Sequence, residues 1–517
     1  MAQQTELFLN QLPDDLQVDT SESALEMASS DVFAIASFPP LAILLPTDVQ
    51  HVCAIWEAAN EHVIPVISRG AGLSYTGSVL PAGPNTAILD TRRLNKIDHI
   101  DQGDRYIRVQ SGVSWQQIDQ ALEGTSLRLK LVPPISGSLS TVGGALAQGL
   151  PMGLESIIGI DVVTPTGQSL QVGAGQFGSS LAGVNRTMGA DLLGIFLGSG
   201  GIFGTIVSAT FRLEPVPPCS AYRTYRTTHL QAAAHLAGEL GRGLEHLRIF
   251  ATPVHHERTM ADIGWREKLA LGWRLLRRPK GLISLFSALR AWLSTLKGAD
   301  AQAQLPVALH VIIEGQSEQE VSRVCAALDD AAHDDGALRV SSPAPSVMHQ
   351  SPYSLRGMLG PMGERWVPVH GIGAASMLQP LAQVTAEFFD RHANSLEAHE
   401  ITTSWLLMLW PGQCALIEPM FLWPAPLLPV HKLAGSAATR AMEDWSAEAT
   451  SSTELVRQLR EELIAKLDAS GAIHLQIGKT YPYRTRLDTV MDALLVAIKN
   501  ELDPKGIAAP GNLGFAS

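Results

Sequence analysis

The chain reads as an α+β protein of two units, and three observations carry that reading. Between Ala42 and Pro218, short β-rich runs alternate with segments of helical period, the pattern of interleaved strands and helices. The proline-rich break Glu214-Pro-Val-Pro-Pro218 ends that stretch. Within it, three glycine-dense segments at 64–77, 139–145 and 194–206 interrupt apolar runs and imply one extended ligand.

Residues 1–35 are polar and helix-compatible, with Asp14, Asp15, Ser21 and Glu22, and read as an N-terminal arm packed on the body. From there, Asp48–Ala59 and Trp115–Leu122 carry helical patterns, while Thr86–Leu89, Tyr106–Val109 and Ile158–Val163 read as strands. Beyond the break, a second α+β unit is expected over 218–470. Its strands are Val307–Ile313 and Ser404–Leu409, and its helices Glu318–Ala332 and Met377–Ala393. The chain then returns to the first unit from about Gly471.

Composition bounds the function. The 517 residues suffice for two cores, and 46% hydrophobic with 17% charged is an ordinary globular balance. A net charge of −12 argues against nucleic-acid binding, which needs a basic face. Cys53, Cys219, Cys325 and Cys414 are widely separated and form no Cys-x-x-Cys pair, so neither a disulfide framework nor a metal site is expected. No apolar run is long enough to span a bilayer, and the first residues show no secretory pattern; a cytoplasmic protein is expected.

The richest segment is Ile64-Pro-Val-Ile-Ser-Arg-Gly-Ala-Gly-Leu-Ser-Tyr-Thr-Gly77, an apolar strand that runs into a glycine-spaced loop. Glycine takes positive φ and lets backbone approach a ligand, so Gly70, Gly72 and Gly77 can turn N–H groups toward an anion, with Arg69 adding a charge-assisted bond. No amphipathic helix follows the loop directly, and no Lys-Ser/Thr closes any of the glycine segments. A nicotinamide fingerprint and a nucleotide-hydrolysing P-loop are therefore both disfavoured. No Gly-x-Ser-x-Gly elbow occurs either.

Six motifs in register over residues 36–217 give the sequence a family likeness. They are Phe38-Pro-Pro with Leu44-Leu-Pro-Thr-Asp-Val-Gln50, Arg69-Gly-Ala-Gly-Leu-Ser74, Ala87-Ile-Leu-Asp-Thr-Arg-Arg-Leu-Asn95, Val109-Gln-Ser-Gly-Val-Ser114, Ser140-Thr-Val-Gly-Gly144 and Gly198-Ser-Gly-Gly-Ile-Phe-Gly204. Together with His474-Leu-Gln-Ile-Gly-Lys-Thr-Tyr-Pro-Tyr483, Ile498–Ile507 and Pro510-Gly-Asn-Leu-Gly514, they resemble the vanillyl-alcohol oxidase/p-cresol methylhydroxylase flavoproteins. Residues 218–470 show no clear match.

That resemblance implies a two-part PCMH-type FAD-binding domain over 36–217, closed by 471–517, with an α+β cap that holds the substrate. It implies FAD contacts from Arg69, Gly70, Ala71, Gly72, Leu73, Ser74 and Gly77, with the pyrophosphate on this first loop. Further contacts would come from Pro134, Gly137, Ser138, Thr141, Gly143 and Gly144 near the ring, and from Gly204 and Ile206. Leu73 stands where many relatives place a flavin-linking histidine, and Pro411–Ile417 lacks a histidine or tyrosine, so a dissociable FAD is expected. His431 lies nearby in sequence but displaced.

By the same resemblance Tyr75, Tyr483 and Arg484 would hold a phenolate, since a cation and two phenolic hydroxyls stabilise an oxyanion. His370 is a candidate cap residue facing substrate. The acidic residue expected under the ring is missing from Leu131-Val-Pro-Pro-Ile-Ser-Gly-Ser138, so another base serves or the substrate differs. The expected activity is hydride transfer from an aromatic alcohol or alkylphenol to the flavin. The alternatives are an aliphatic 2-hydroxy-acid dehydrogenase, although its Gly-Asp-Gly-Asn-Leu-His type metal motif is absent, and a flavin-binding subunit without turnover.

Residues 265–297 reverse the charge sign of the chain, with eight Lys/Arg against one Glu, and place Leu282, Leu285, Phe286, Leu289, Trp292, Leu293 and Leu296 on one stripe. A cap helix packed internally is the plain expectation. A membrane surface or an electron-acceptor protein is the other partner such a helix would suit, and a homodimer stays open.

Overall fold

The structure is a computed structural model. It describes residues 2–254 apart from 151, 179–184, 188 and 245–246; then 269, 272–273, 289 and 292–293; and 305–516 apart from 351, 354–357, 361–362 and 435–449. The basic amphipathic segment 265–297 therefore lies almost wholly outside the described residues.

Two sheets build the first unit. In chain order its elements are α1 (Ala2–Gln11), β1 (Gln17–Asp19), α2 (Glu22–Ala28), β2 (Ile43–Leu45), α3 (Val49–His62), β3 (Val66–Arg69), β4 (Ala87–Asp90), β5 (Ile97–Asp101), β6 (Tyr106–Gln110), α4 (Trp115–Leu122), β7 (Leu127–Leu129), α5 (Val142–Ala147), β8 (Ile157–Val163), β9 (Ser169–Gly173), α6 (Leu193–Phe196) and β10 (Thr205–Pro215). The smaller sheet has order β1-β2-β4-β3, with β2, β4 and β3 parallel. The larger is antiparallel, β5-β6-β10-β8-β9, with β7 also on β10. Such mixing of parallel and antiparallel sheets matches the interleaved pattern of the sequence.

Local chemistry sets the element ends. Asp48 caps α3 by accepting the His51 N–H, and Val63 stops it in the left-handed conformation at φ 56°. Ser114 and Gln117 form a capping box at the start of α4. Thr141 caps α5 through the Gly144 N–H, so the second glycine segment becomes a helix start. Phe8 of α1 is buried against Trp56 of α3 in one core cluster.

The second unit centres on an eight-stranded antiparallel sheet. Its elements are β11 (Cys219–Thr227), α7 (Leu230–Leu240), β12 (Leu247–Pro253), β13 (Val307–Gly315), α8 (Glu318–Asp334), β14 (Leu338–Val340), α9 (Ala344–Gln350), β15 (Arg365–Pro368), β16 (Gly371–Gly373), α10 (Leu378–Ala398), β17 (Thr402–Trp410), β18 (Cys414–Trp423) and α11 (Thr450–Ala469). The order is β14-β11-β13-β12-β17-β18-β15, with β16 on β18.

Strand register makes the two faces of this sheet easy to tell apart. Phe250 pairs with Met408 and Met408 with Leu416, so residues of like parity share a face across strands. Odd positions such as Ile249, Val311, Leu407 and Ile417 face α7, α8 and α10 in one large core. Even positions face the first unit.

After α11 the chain crosses back. Ile473 bridges Ile372 in the cap, then α12 (Thr489–Leu502) leads to Ala508, which bridges Val66 of β3. Lys499 of α12, buried beside Asp503, donates to the carbonyls of Ile202 and Ala508, and Asn512 reaches the carbonyls of Ser78 and Gly200. The closing segment thus clamps two of the glycine loops.

Candidate active site

Between the glycine loops and the even face of the cap sheet lies a cavity of about 460 Å³. One wall is backbone. It contains Arg69, Gly70, Ala71, Gly72, Leu73, Ser74, Pro134, Thr141, Gly143, Gly144, Gly204 and Ile206, which brings most of the expected cofactor residues to one surface.

Close approach explains the glycines there. A Cβ on Gly204 would lie 2.2 Å from the Val163 carbonyl oxygen, at φ +120°. One on Gly143 would lie 2.6 Å from Ser111 Cβ. No other residue type fits either place without moving backbone.

Three expected contacts fall outside the lining. Gly77 gives its N–H to the buried carboxylate of Asp31 at 2.8 Å. Gly137 closes a tight turn onto the Pro134 carbonyl, its Cα packed under the Tyr353 ring. Ser138 sits beside it, half-buried with its hydroxyl turned away from solvent.

Arg69 lines the cavity, but its Nη1 and Nη2 donate to the carbonyls of Ala28, Met27 and Ser30. Burial pushes its guanidinium down to about 10, and Asp90 and Asp31 oppose that. These bonds make it a buried strut that holds the arm at the end of α2.

The opposite wall is side chain. It is built from Phe250, Thr252, Ile312, Trp366, Ser404, Leu406, Met408, Trp410, Leu416, Glu418, Met420 and Leu422, all even positions of the cap sheet, with Arg248 at one edge. Glu418 is the sole carboxylate among the described lining residues. Burial alone raises its carboxyl to about 8.

Beside Glu418 the structure joins two of the predicted residues across 295 positions of chain. Tyr75 Oη lies 2.7 Å from His370 Nε2 and accepts from Gln476 Nε2 at 2.8 Å. With that amide donating, the phenol hydrogen is left for Nε2, which places the imidazole proton on Nδ1. Burial, with His474 and Arg460 adding to it, pushes His370 down to about 3, so the ring is neutral. Burial and then Glu418 push the Tyr75 phenol up, so it keeps its proton.

Supports surround this pair. Arg460 of α11 donates to the Tyr75 carbonyl at 2.8 Å, Tyr481 Oη accepts the His370 N–H, and His474 donates to the His370 carbonyl while stacking on Tyr481.

Tyr483 and Arg484 are not brought to the cavity. Tyr483 opens a 3-10 turn and packs on the first unit's core. Arg484 forms a bidentate pair with Asp492, at 2.6 and 2.8 Å, and lies over the Phe515 ring. The turn after Pro482 carries both away, and Tyr481 occupies the place on the cap side. His431 is buried outside the lining, with Nδ1 accepting the Leu428 N–H.

Sequence reasoning missed Glu418, Arg460 and Arg248. A signal existed for Glu418, the lone charge in the apolar strand Cys414–Trp423. Arg460 gave none, since an arginine in a helix rich in Glu and Gln looks solvated.

The residues present fit FAD. Ser140 Oγ and Gln148 Oε1 are buried on the lining with no partner among the described residues, and the glycine wall admits a flat ligand to backbone distance. Among those residues no group of three or more His, Cys, Asp or Glu is placed to hold a metal, and no helix is long and apolar enough to cross a membrane.

Comparison with known proteins agrees with the cofactor. Residues 40–173 match the FAD binding domain family model, so this part of the chain is an FAD-binding domain. The chain is similar to the glycolate oxidase subunit GlcD of Bacillus subtilis, 27% identical over 211 residues, and to that of Escherichia coli K12, 32% identical over 187 residues. These matches cover 39% and 35% of this chain, and 43% and 36% of the relatives, so the chain spans less than half of either. In fold it is similar to p-cresol methylhydroxylase with substrate bound, at a TM-score of 0.73 and 16% identity, over 100% of this chain and 97% of that one. The expectations of FAD and of a PCMH-type α+β fold are borne out. The vanillyl-alcohol oxidase side of the resemblance is carried by fold alone.

Proposed function

We propose that the chain is an FAD-dependent oxidoreductase that removes a hydride from the carbinol carbon of a mainly apolar alcohol, aromatic alcohols first, with Glu418 as the base. The observation that carries this reading is the Glu418 carboxyl, the sole carboxylate among the described lining residues, set in a mainly apolar wall opposite the glycine cradle and beside Tyr75 and His370.

Bound FAD supplies the hydride acceptor. The protein's own part is to exclude water, orient the alcohol and take its proton. Phe250, Trp366, Leu406, Met408 and Leu416 offer a dry surface for the substrate body. The neutral Tyr75–His370 pair, whose phenol hydrogen is taken by His370 Nε2, gives the substrate oxygen a fixed polar edge beside Glu418. Ionised Glu418, costly in this wall, gains by accepting the hydroxyl proton as the hydride leaves, and a carboxyl poised near neutral pH suits a general base. It answers the missing acid at Leu131–Ser138 from the other side of the cavity.

A phenolate is less well served. With Arg484 bound to Asp492 and Tyr483 turned away, the trio expected to hold it is not assembled. Dissociable FAD is part of the proposal: position 73 is leucine, and His431 and Cys414 lie outside the lining.

A second reading, a 2-hydroxy-acid dehydrogenase, draws on the likeness to glycolate oxidase subunits and would need a cation near the reacting carbon. Anaerobic mixing decides between them. Benzylic alcohols are expected to bleach the flavin absorbance. Bleaching by glycolate or lactate alone would favour the hydroxy acid, and bleaching by neither class would favour a subunit without turnover. Acid precipitation is expected to leave the flavin in the supernatant.

A further inference from the structure

Arg248 stands at the edge of the cap wall, where β12 meets β13, and it is held in a buried polar network rather than by solvent. Its Nη2 lies 3.5 Å from Glu314 Oε2. Glu314 is already bonded to Arg128 and to His349 Nε2 at 3.0 Å, and His349 is steadied in turn by Tyr222 at 3.0 Å.

Arg128 also takes Glu214 at 2.8 Å, so one cation faces two carboxylates while Arg248 has a single long contact. A guanidinium has five N–H donors. The side chain of Arg248 keeps 29% of its surface accessible, and that surface opens into the cavity it lines. Glu314, with burial opposed by His349 and the two arginines, is held well below the usual carboxylate range and acts as a fixed anchor for the fork.

Register gives its distance from the reactive end. Phe250, Met408 and Leu416 form one row across β12, β17 and β18. Glu418 lies two residues along β18 from that row, and Arg248 two residues the opposite way along β12. Four residues along and two strand spacings across place their Cα atoms about 16 Å apart. The floor between them is apolar, with Phe250, Met408 and Leu416.

We propose that Arg248 is an anion subsite for the far end of the substrate. It would select an elongated alcohol whose carboxylate, or like anion, is separated from the oxidised carbon by an apolar body, unlike a 2-hydroxy acid, where the two adjoin. This rests on the alcohol-oxidising reading and names its substrate class. Geometry favours a carboxylate, since the planar fork held by Glu314 can bind one with two parallel bonds.

The test uses the FAD-loaded protein and two sets of ligands. The first is phenylalkanoates of increasing chain length, which carry no alcohol, with their methyl esters; binding is read from the shift of the flavin spectrum. The second is the same series bearing a para-hydroxymethyl group, read by anaerobic bleaching. Acids of the best length are expected to bind about tenfold or more tighter than their esters, as a charge-assisted pair in a dry site does. Arg248→Met should bring that ratio close to one, and Arg248→Lys should keep part of it.

Equal binding of acid and ester by the wild type overturns the subsite. So does a ratio that survives in R248M, or a preference for a carboxylate next to the carbinol carbon. If the acids show the Arg248-dependent preference but no hydroxymethyl compound bleaches the flavin, the anion subsite stands and the alcohol reading falls.

Discussion

The two walls of the cavity are made by opposite means. The cofactor wall is backbone, and its chemistry depends on what is absent: Gly143 and Gly204 stand where any Cβ would strike Ser111 or Val163. The cap wall is side chain, and its chemistry depends on single residues, Glu418 and Arg248, set among interchangeable apolar neighbours. A wall of the first kind tolerates almost no substitution and varies little in function. One of the second kind can change substrate through one or two residues while its sheet persists.

That contrast can be broken at several points. The largest effect is expected at the proposed base of the cap wall. Glu418→Gln should slow flavin reduction by about 100- to 10,000-fold in stopped-flow mixing, with folding intact. In the wild type the rate should climb through pH 8 as the carboxyl ionises, and that limb should vanish in E418Q. Retention of both rate and limb would remove Glu418 from the chemistry.

Gly204→Ala comes next. With φ at +120° and a 2.2 Å clash against backbone, it should cost at least about 2 kcal/mol and yield protein with little bound flavin, read from the flavin-to-protein absorbance ratio. A comparison within the cap sheet follows. Leu407→Ala, on the fully buried odd face, should lose about 2–5 kcal/mol in denaturant unfolding. Met408→Ala, one residue on, should lose under about 1.5 kcal/mol and instead raise the KM for bulky alcohols.

Stability against pH gives a subtler test. A carboxyl raised to about 8 in the folded state and ordinary when unfolded binds its proton more tightly in the fold, so stability falls as pH rises from the usual carboxylate range to about 8. Glu418→Gln should flatten that fall, by on the order of 4 kcal/mol at pH 8. The smallest effect is expected at Arg484→Ala, whose partly exposed pair with Asp492 should be worth at most about 1 kcal/mol, with kcat unchanged. A large loss of kcat there would return Arg484 to the site.

The same contrast explains what could be read in advance. Gly70, Gly72, Gly143 and Gly204 were legible because a backbone demand leaves one residue type, which shows as glycine spacing. The helices over Asp48–Ala59 and Trp115–Leu122 were legible because their period is local, whereas the start of α5 after Thr141 was not, its segment reading only as glycine-dense. Tyr75 and His370 were singled out from a likeness and from a strand-like setting, and only the fold joins them. Tyr483 and Arg484 were chosen from the same closing motif, but a turn of three residues decides which tyrosine faces the cap, and spacing does not encode that turn. Arg460 and Arg248 were hidden because a charge in a helix or strand reads as solvated until the packing around it is known.

The cradle loop is completed from far along the chain. Its Tyr75 carbonyl is held by Arg460, its Tyr75 hydroxyl by Gln476 and His370, and its Ser78 carbonyl by Asn512. A nascent chain that has emerged only as far as residue 220 carries all three glycine segments and none of these four partners. Cofactor loading is therefore expected to come late, after the cap has folded and the closing segment has returned, and a truncated first unit is expected to make a poor flavin trap however complete its motifs.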